Sequence, residues 1–256
     1  MVFFTSFLGA IPLGILLTLL IFLSYNHTPE KWLQESGTDL FSPNFQKAVR
    51  LHSRSHLFIL FLAANFSFFC ILLKNEDLPF YIFSSLYLFS GILLSLSDIY
   101  NRIIPHQYLL FLFLTGIFEW ISGFFRTDDF PALWHTFLWD KLLGALFSFG
   151  AFFLFLFVLE HLKKEESLGF GDIKLLTVSG FICGLRAFPL FLFSSFFSAA
   201  LFSLFFFFLQ KPKKRSDEDS TFKIDSIPLA PFICASLFFY LLFEKDILII
   251  LYPFSF

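Results

Sequence analysis

Gly169-Phe170-Gly171-Asp172-Ile173-Lys174-Leu175-Leu176 sets an acidic, glycine-rich turn directly before an apolar run. Outward from it the chain is apolar almost throughout: 57% of its 256 residues are hydrophobic, and 46 are Phe. A soluble domain of this length exposes too large a share of its surface to hide that content. The expected solvent is therefore a bilayer. In such a chain a carboxylate at the mouth of a spanning helix is costly and needs a reason. A second one, Asp98, closes an earlier apolar run in Ser95-Leu96-Ser97-Asp98-Ile99-Tyr100-Asn101-Arg102-Ile103-Ile104-Pro105.

Runs close to the roughly 17–25 residues that cross a bilayer can be laid down about eight times. They cover 3–24, 56–73, 79–97, 106–125, 140–160, 173–187, 188–209 and 231–251. The pattern predicts an all-α, polytopic integral membrane protein with about eight transmembrane helices. Only Gly184 to Pro189 could turn the chain between the sixth and seventh. Thirteen of the 18 Lys and Arg residues, Lys174 among them, fall with the loops after helices one, three, five and seven. The other 5 are Lys74, Arg126, Lys141, Arg186 and Lys245. By the positive-inside rule both chain ends lie outside and the odd loops in the cytoplasm. Asp98 and Asp172 then share the cytoplasmic boundary.

Other features exclude whole classes. A net charge of -2 argues against a nucleic-acid partner. Cys70, Cys183 and Cys234 sit in apolar runs without a CxxC pair; they read as small buried residues, and no metal site is expected from them. The first apolar segment lacks a basic start and a small-residue cleavage site, so it reads as a retained helix. His52 and His56 have i,i+4 spacing but no third ligand nearby, and read as surface histidines. Glu119, Glu160 and His161 read as boundary residues, and Trp134 and Trp139 as an outer aromatic belt. Lys211–Arg215 suits anionic lipid, while Asp217, Glu218 and Asp219 read first as a solvated loop.

Each Asp alone reads first as a helix cap or a solvated helix end. Together they suggest chemistry. Gly169 and Gly171 permit positive φ and close approach of another backbone, and the start of a helix favours the Asp172 charge. Pro105 stiffens the turn after Asp98. Two carboxylates across one water cannot both ionise easily. One keeps its proton while the other acts as base toward the water. Such a pair hydrolyses a peptide bond without metal or serine, and it titrates as a unit.

The stretch from Gly169 to Leu176 resembles the GxGDxKLL signature of the type IV prepilin leader peptidases, membrane aspartic peptidases of the GxGD type. Asp98 to Pro105 resembles that family's first catalytic motif, with its Ile-Pro turn. Ile227-Pro228-Leu229-Ala230-Pro231-Phe232-Ile233 resembles its IPFGPFL segment, with Ala230 in place of Gly. The resemblance covers about residues 79–251. It implies that Asp98 and Asp172 are catalytic, and that Gly169, Gly171, Lys174, Pro105, Pro228 and Pro231 belong to supporting motifs. It also implies that pilin-like precursors are the partners and the bacterial cytoplasmic membrane is the location.

The chain departs from the family before helix three. The family's cytoplasmic segment after helix one carries paired CxxC zinc ligands, yet residues 25–55 contain no Cys. The first helix also lacks a clear Gly-Ser-x-x-Asn pattern. Residues 1–78 are therefore expected to form a degenerate N-terminal region and 79–256 the peptidase domain. Zinc and S-adenosylmethionine are not expected as cofactors, and peptidase activity is expected without methyl transfer. A non-catalytic scaffold of the same fold, a GxGD protease cutting other membrane proteins and a transporter are the rival readings.

Overall fold

The computed structural model describes residues 2–33, 50–51, 54–74, 76–124, 130–163, 169–209 and 228–251. Lys211–Arg215, the acidic residues after it, His52 and Ile227 lie outside these, as do the side chains of Trp134, Glu160 and His161. The described chain is all-helical: α1 (Val2–His27), α2 (Arg54–Leu73), α3 (Leu78–Asn101), α4 (His106–Phe124), α5 (Phe130–Lys163), α6 (Phe170–Leu209) and α7 (Ala230–Leu251), with a 3-10 turn at Glu30–Trp32. Among the described residues, five helices carry stretches long and apolar enough to cross a membrane: α1, α2, α3, α5 and α6. That is fewer than the eight spans expected. The apolar part of α7, Ala230–Glu244, is shorter than the others.

Phe58, Phe66 and Phe193 are more than 60% exposed. Helices apolar on all sides are suited to lipid contact rather than to water. Inside, α3, α4, α6 and α7 pack around Leu94, Leu112, Leu175, Leu176 and Ile233. α5 lies along α6, and α1 pairs with α2 beside α3.

α6 is not one straight rod. Gly184 has φ 76 and ψ 164, outside helical geometry and in a region that favours glycine. Cys183 C=O accepts from the Tyr240 hydroxyl at 3.2 Å, while the Phe202 ring lies 5.3 Å from that of Phe232. Residues 183 and 202 would be about 28 Å apart along a straight helix, whereas 232 and 240 are about 12 Å apart. The two halves of α6 therefore run in opposite directions beside α7. The reversal falls where the sequence allowed a turn, and it brings the start of α6 back to the end of the bundle where α3 stops and α7 begins.

α5 fits into that reversal through Gly144. A Cβ there would strike the Gly180 carbonyl and lie 2.7 Å from Gly184 C and 2.8 Å from Leu185 N. Those are backbone atoms with no room to yield. One turn and a half further on, Gly150 faces open space. Gly144→Val should destabilise the protein by about 2 kcal/mol or more through overpacking, whereas Gly150→Val should be close to neutral. Thermal unfolding of the two variants in the same micelles checks this contrast.

Candidate active site

Asp98 lies in the last turn of α3, which ends when Arg102 adopts a left-handed conformation (φ 57) and its N–H bonds the Asp98 carbonyl at 3.0 Å. That end of a helix is the negative end of its dipole, a poor place for a carboxylate. The structure compensates from elsewhere. Ala230 N–H, at the start of α7, donates to Asp98 Oδ2 at 2.9 Å, and Leu229 N–H bonds the same carboxylate. Asp98 is 7% exposed and Ala230 is fully buried. A helix N-terminus carries free N–H groups and positive potential, so it is a ready anion site.

The Pro228–Pro231 segment acquires a role from this contact. Leu229 C=O accepts from the N–H groups of Phe232 and Ile233, starting α7. Pro228 and Pro231 flank the two donors to Asp98. Pro231 stands in the first turn, where a missing N–H costs nothing.

The turn between α3 and α4 is held just as firmly. Ser97 Oγ donates to Ile103 C=O at 2.8 Å, and the buried Pro105 carbonyl accepts from Leu109 N–H at 3.2 Å to begin α4. Ile104 projects from this turn onto Gly171. A Cβ on Gly171 would lie 3.2 Å from the Ile104 Cβ, so the glycine is needed for close approach. Positive φ is not the reason: among the described glycines only Gly184 has it. Of the two properties that Gly169 and Gly171 permit, close approach is thus the one used at Gly171, and neither residue adopts positive φ.

Asp172 stands in the first turn of α6, its N–H bonded to Gly169 C=O at 3.0 Å and its carboxylate bonded by Gly169 backbone. It is partly buried. Asp98 and Asp172, 74 residues apart in sequence, are near enough for their charges to repel. Lys174 points across the mouth: its Nζ lies 3.2 Å from His106 Nε2 and 4.5 Å from the centre of the Phe170 ring. The structure thus brings Asp98, Asp172, Gly169, Gly171, Lys174, Pro105, Pro228 and Pro231 to one end of the bundle. Among the described residues no three His, Cys, Asp or Glu side chains are grouped as metal ligands.

Several neighbours escaped the sequence reading. Asn101 Nδ2 donates to the Tyr25 hydroxyl at 2.7 Å, tying α1 to the end of α3. Arg50 donates to the carbonyls of Tyr25 and Thr28 at 2.9 and 2.8 Å, capping the C-terminus of α1. His56, read as a surface residue, is half-buried with its ring 5.2 Å from that of Tyr100. Cys183 and Cys234 are buried free thiols, as their apolar settings implied.

Residues 85–204 match the model of the type IV leader peptidase family. That span contains both acids and the whole of α6 up to residue 204. In this stretch the chain is similar to the type IV leader peptidase family. No curated protein and no solved structure matches the chain. The matched span is thus all-helical where described, with the two motif acids at adjoining helix ends. Pro228–Pro231, which completes the Asp98 setting, lies beyond the matched span.

Because Asp98 satisfies buried N–H groups, its loss has a structural component separate from chemistry. Asp98→Leu strands the Ala230 N–H and should cost about 1–3 kcal/mol. Asp98→Asn keeps an accepting oxygen and should retain most of that stability. Unfolding midpoints of purified variants distinguish the two.

Proposed function

We propose that the chain is a membrane aspartic endopeptidase. It removes the leader of type IV prepilin-like or competence-pilin precursors at the cytoplasmic face and does not methylate the product. The observation that carries this reading is that Asp98 and Asp172 stand at adjoining helix ends, near enough for their charges to repel, within the span similar to the leader peptidase family.

In this mechanism the two carboxyls share one proton. The ionised partner takes a proton from a water lying between them, and that oxygen attacks the scissile carbonyl. The protonated partner donates to the carbonyl oxygen, giving a neutral tetrahedral intermediate. Its collapse breaks the C–N bond as a proton passes to the leaving amine. The pair acts as a unit, so neither Asp is given a fixed role. An apolar substrate helix would pack among the membrane helices and present its polar leader to the acids at the interface. The pair stands at one edge of the bundle, which favours a peptidase over a transporter with midplane carboxylates.

The same reading has the chain crossing the membrane eight times, with the two halves of α6 counted separately and α4 and α7 included. Arg50, Arg54, Arg102 and Lys174 stand at the end of the bundle that carries the acids, which supports a cytoplasmic orientation. Residues 1–78 act as a degenerate N-terminal region beside the peptidase domain of 79–256. The absence of Cys from 25–55 supports proteolysis without zinc or S-adenosylmethionine.

Asp98→Asn and Asp172→Asn should each abolish leader removal from a co-expressed pilin precursor while leaving protein levels unchanged. Full cleavage by either variant contradicts the dyad. Cleavage mapped inside the apolar span instead of at the leader favours a protease of other membrane substrates. Product formed in the presence of labelled S-adenosylmethionine should remain unlabelled, and methyl incorporation would show a second activity.

A further inference from the structure

The positive-inside count placed Lys141 with the outer, loop-side charges, yet it is buried within an apolar stretch of α5. It is 8% exposed, and its Nζ donates to Ile182 C=O at 2.6 Å. A buried ammonium in a spanning helix is costly unless it meets a specific partner. The partner here is informative. In an unbroken helix Ile182 C=O would accept from Arg186 N–H, four residues on. The break at Gly184 separates those groups. Arg186 N–H instead bonds the Asp140 carboxylate, and the Arg186 guanidinium Nε lies 3.8 Å from Asp140 Oδ1.

Two consecutive residues of α5 therefore replace the two halves of one lost helix bond. Lys141 supplies the donor and Asp140 the acceptor. The charges also have the correct signs. Lys141 meets the C-terminal, negative end of the first half of α6, and Asp140 meets the N-terminal, positive end of the second. Asp140 Oδ2 occupies the space a side chain at residue 184 would need, and Tyr240 covers the next carbonyl, that of Cys183. In lipid such backbone groups have no water to turn to.

We propose that Asp140 and Lys141 are positioning residues for Asp172, clamping the reversal of α6 so that its first half presents Asp172 to Asp98. Asp172 and Ile182 are separated by about 15 Å of continuous helix. A tilt or rotation at the clamp is thus carried to the acid. The proposal rests on the peptidase reading for its activity test and on geometry alone for its second test.

Lys141→Met should lower kcat for leader cleavage by about tenfold or more with KM changed less than about threefold, because the helix is displaced while the substrate surface is retained. Lys141→Arg, which keeps a cationic donor, should restore most of the rate. Asp140→Asn combined with Lys141→Met should be less damaging than the product of the single effects, since both act on one break. Independently of activity, an Ile104→Cys/Gly171→Cys pair should form a disulfide on mild oxidation of membranes, and Lys141→Met in that background should reduce its yield. Equal disulfide yields with and without Lys141, in protein of equal abundance, overturn the proposal. So does wild-type kcat in Lys141→Met. If Asp172→Asn also cleaves, the peptidase assignment of Asp172 fails while the disulfide result still decides the clamp.

Discussion

The N-terminus of α7 resting on the Asp98 carboxylate is the contact on which the site depends. Asp98 occupies the wrong end of its own helix, and α7 makes that position tolerable by directing Ala230 N–H into it at 2.9 Å. The bond joins α3 to α7 across 132 residues. Ile104 against Gly171 extends the junction to α6. Three helix ends thereby become one rigid corner, and the second acid arrives at that corner on the first turn of α6. A carboxylate held by helix termini keeps its orientation without a flexible loop, which is what a two-acid mechanism requires of its groups.

The bilayer imposes a second constraint: every backbone group must find its partner within the protein. Most of the chain meets it with uninterrupted helix. Ser90, Ser95, Thr115, Thr177 and Ser195 conceal their hydroxyls on carbonyls of the preceding turn, so small polar residues cross apolar stretches without external partners. The exceptions are informative because they need named side chains. The break at Gly184 recruits Lys141, Asp140 and Tyr240, and the end of α1 recruits Arg50. Asp140, Lys141 and Arg50 mark places where helix hydrogen bonding stops.

Much of the frame was legible in the sequence, because long apolar runs and their Gly and Pro boundaries are local signals. Asp172 at a helix start, Asp98 at a helix end and the stiff turn at Pro105 all follow from short-range pattern. The function of Pro228–Pro231 does not, since its significance lies in an N–H aimed at a residue distant in the chain. The role of Lys141 is hidden for a related reason: a count of charges assigns it to one side of the membrane but does not show the broken helix that it caps. Of the two properties that glycine offers at Gly171, the one used is close approach, and its partner Ile104 is a tertiary neighbour that local sequence does not name. Five spans meet the length and apolarity measure where eight were expected, in part because α6 is one continuous helical stretch in residue terms and two antiparallel ones in space.

The account stands or falls on Asp98 and Asp172 facing each other in the membrane. The most direct measurement is cross-linking of an Asp98→Cys/Asp172→Cys protein in native membranes, with Cys70, Cys183 and Cys234 replaced by Ala and bifunctional thiol reagents of graded length. The account predicts efficient intramolecular linkage by reagents spanning about 6 Å, the range over which two carboxylates govern each other's charge. Linkage only by reagents longer than about 10 Å, beyond the reach of strong electrostatic coupling, would contradict it.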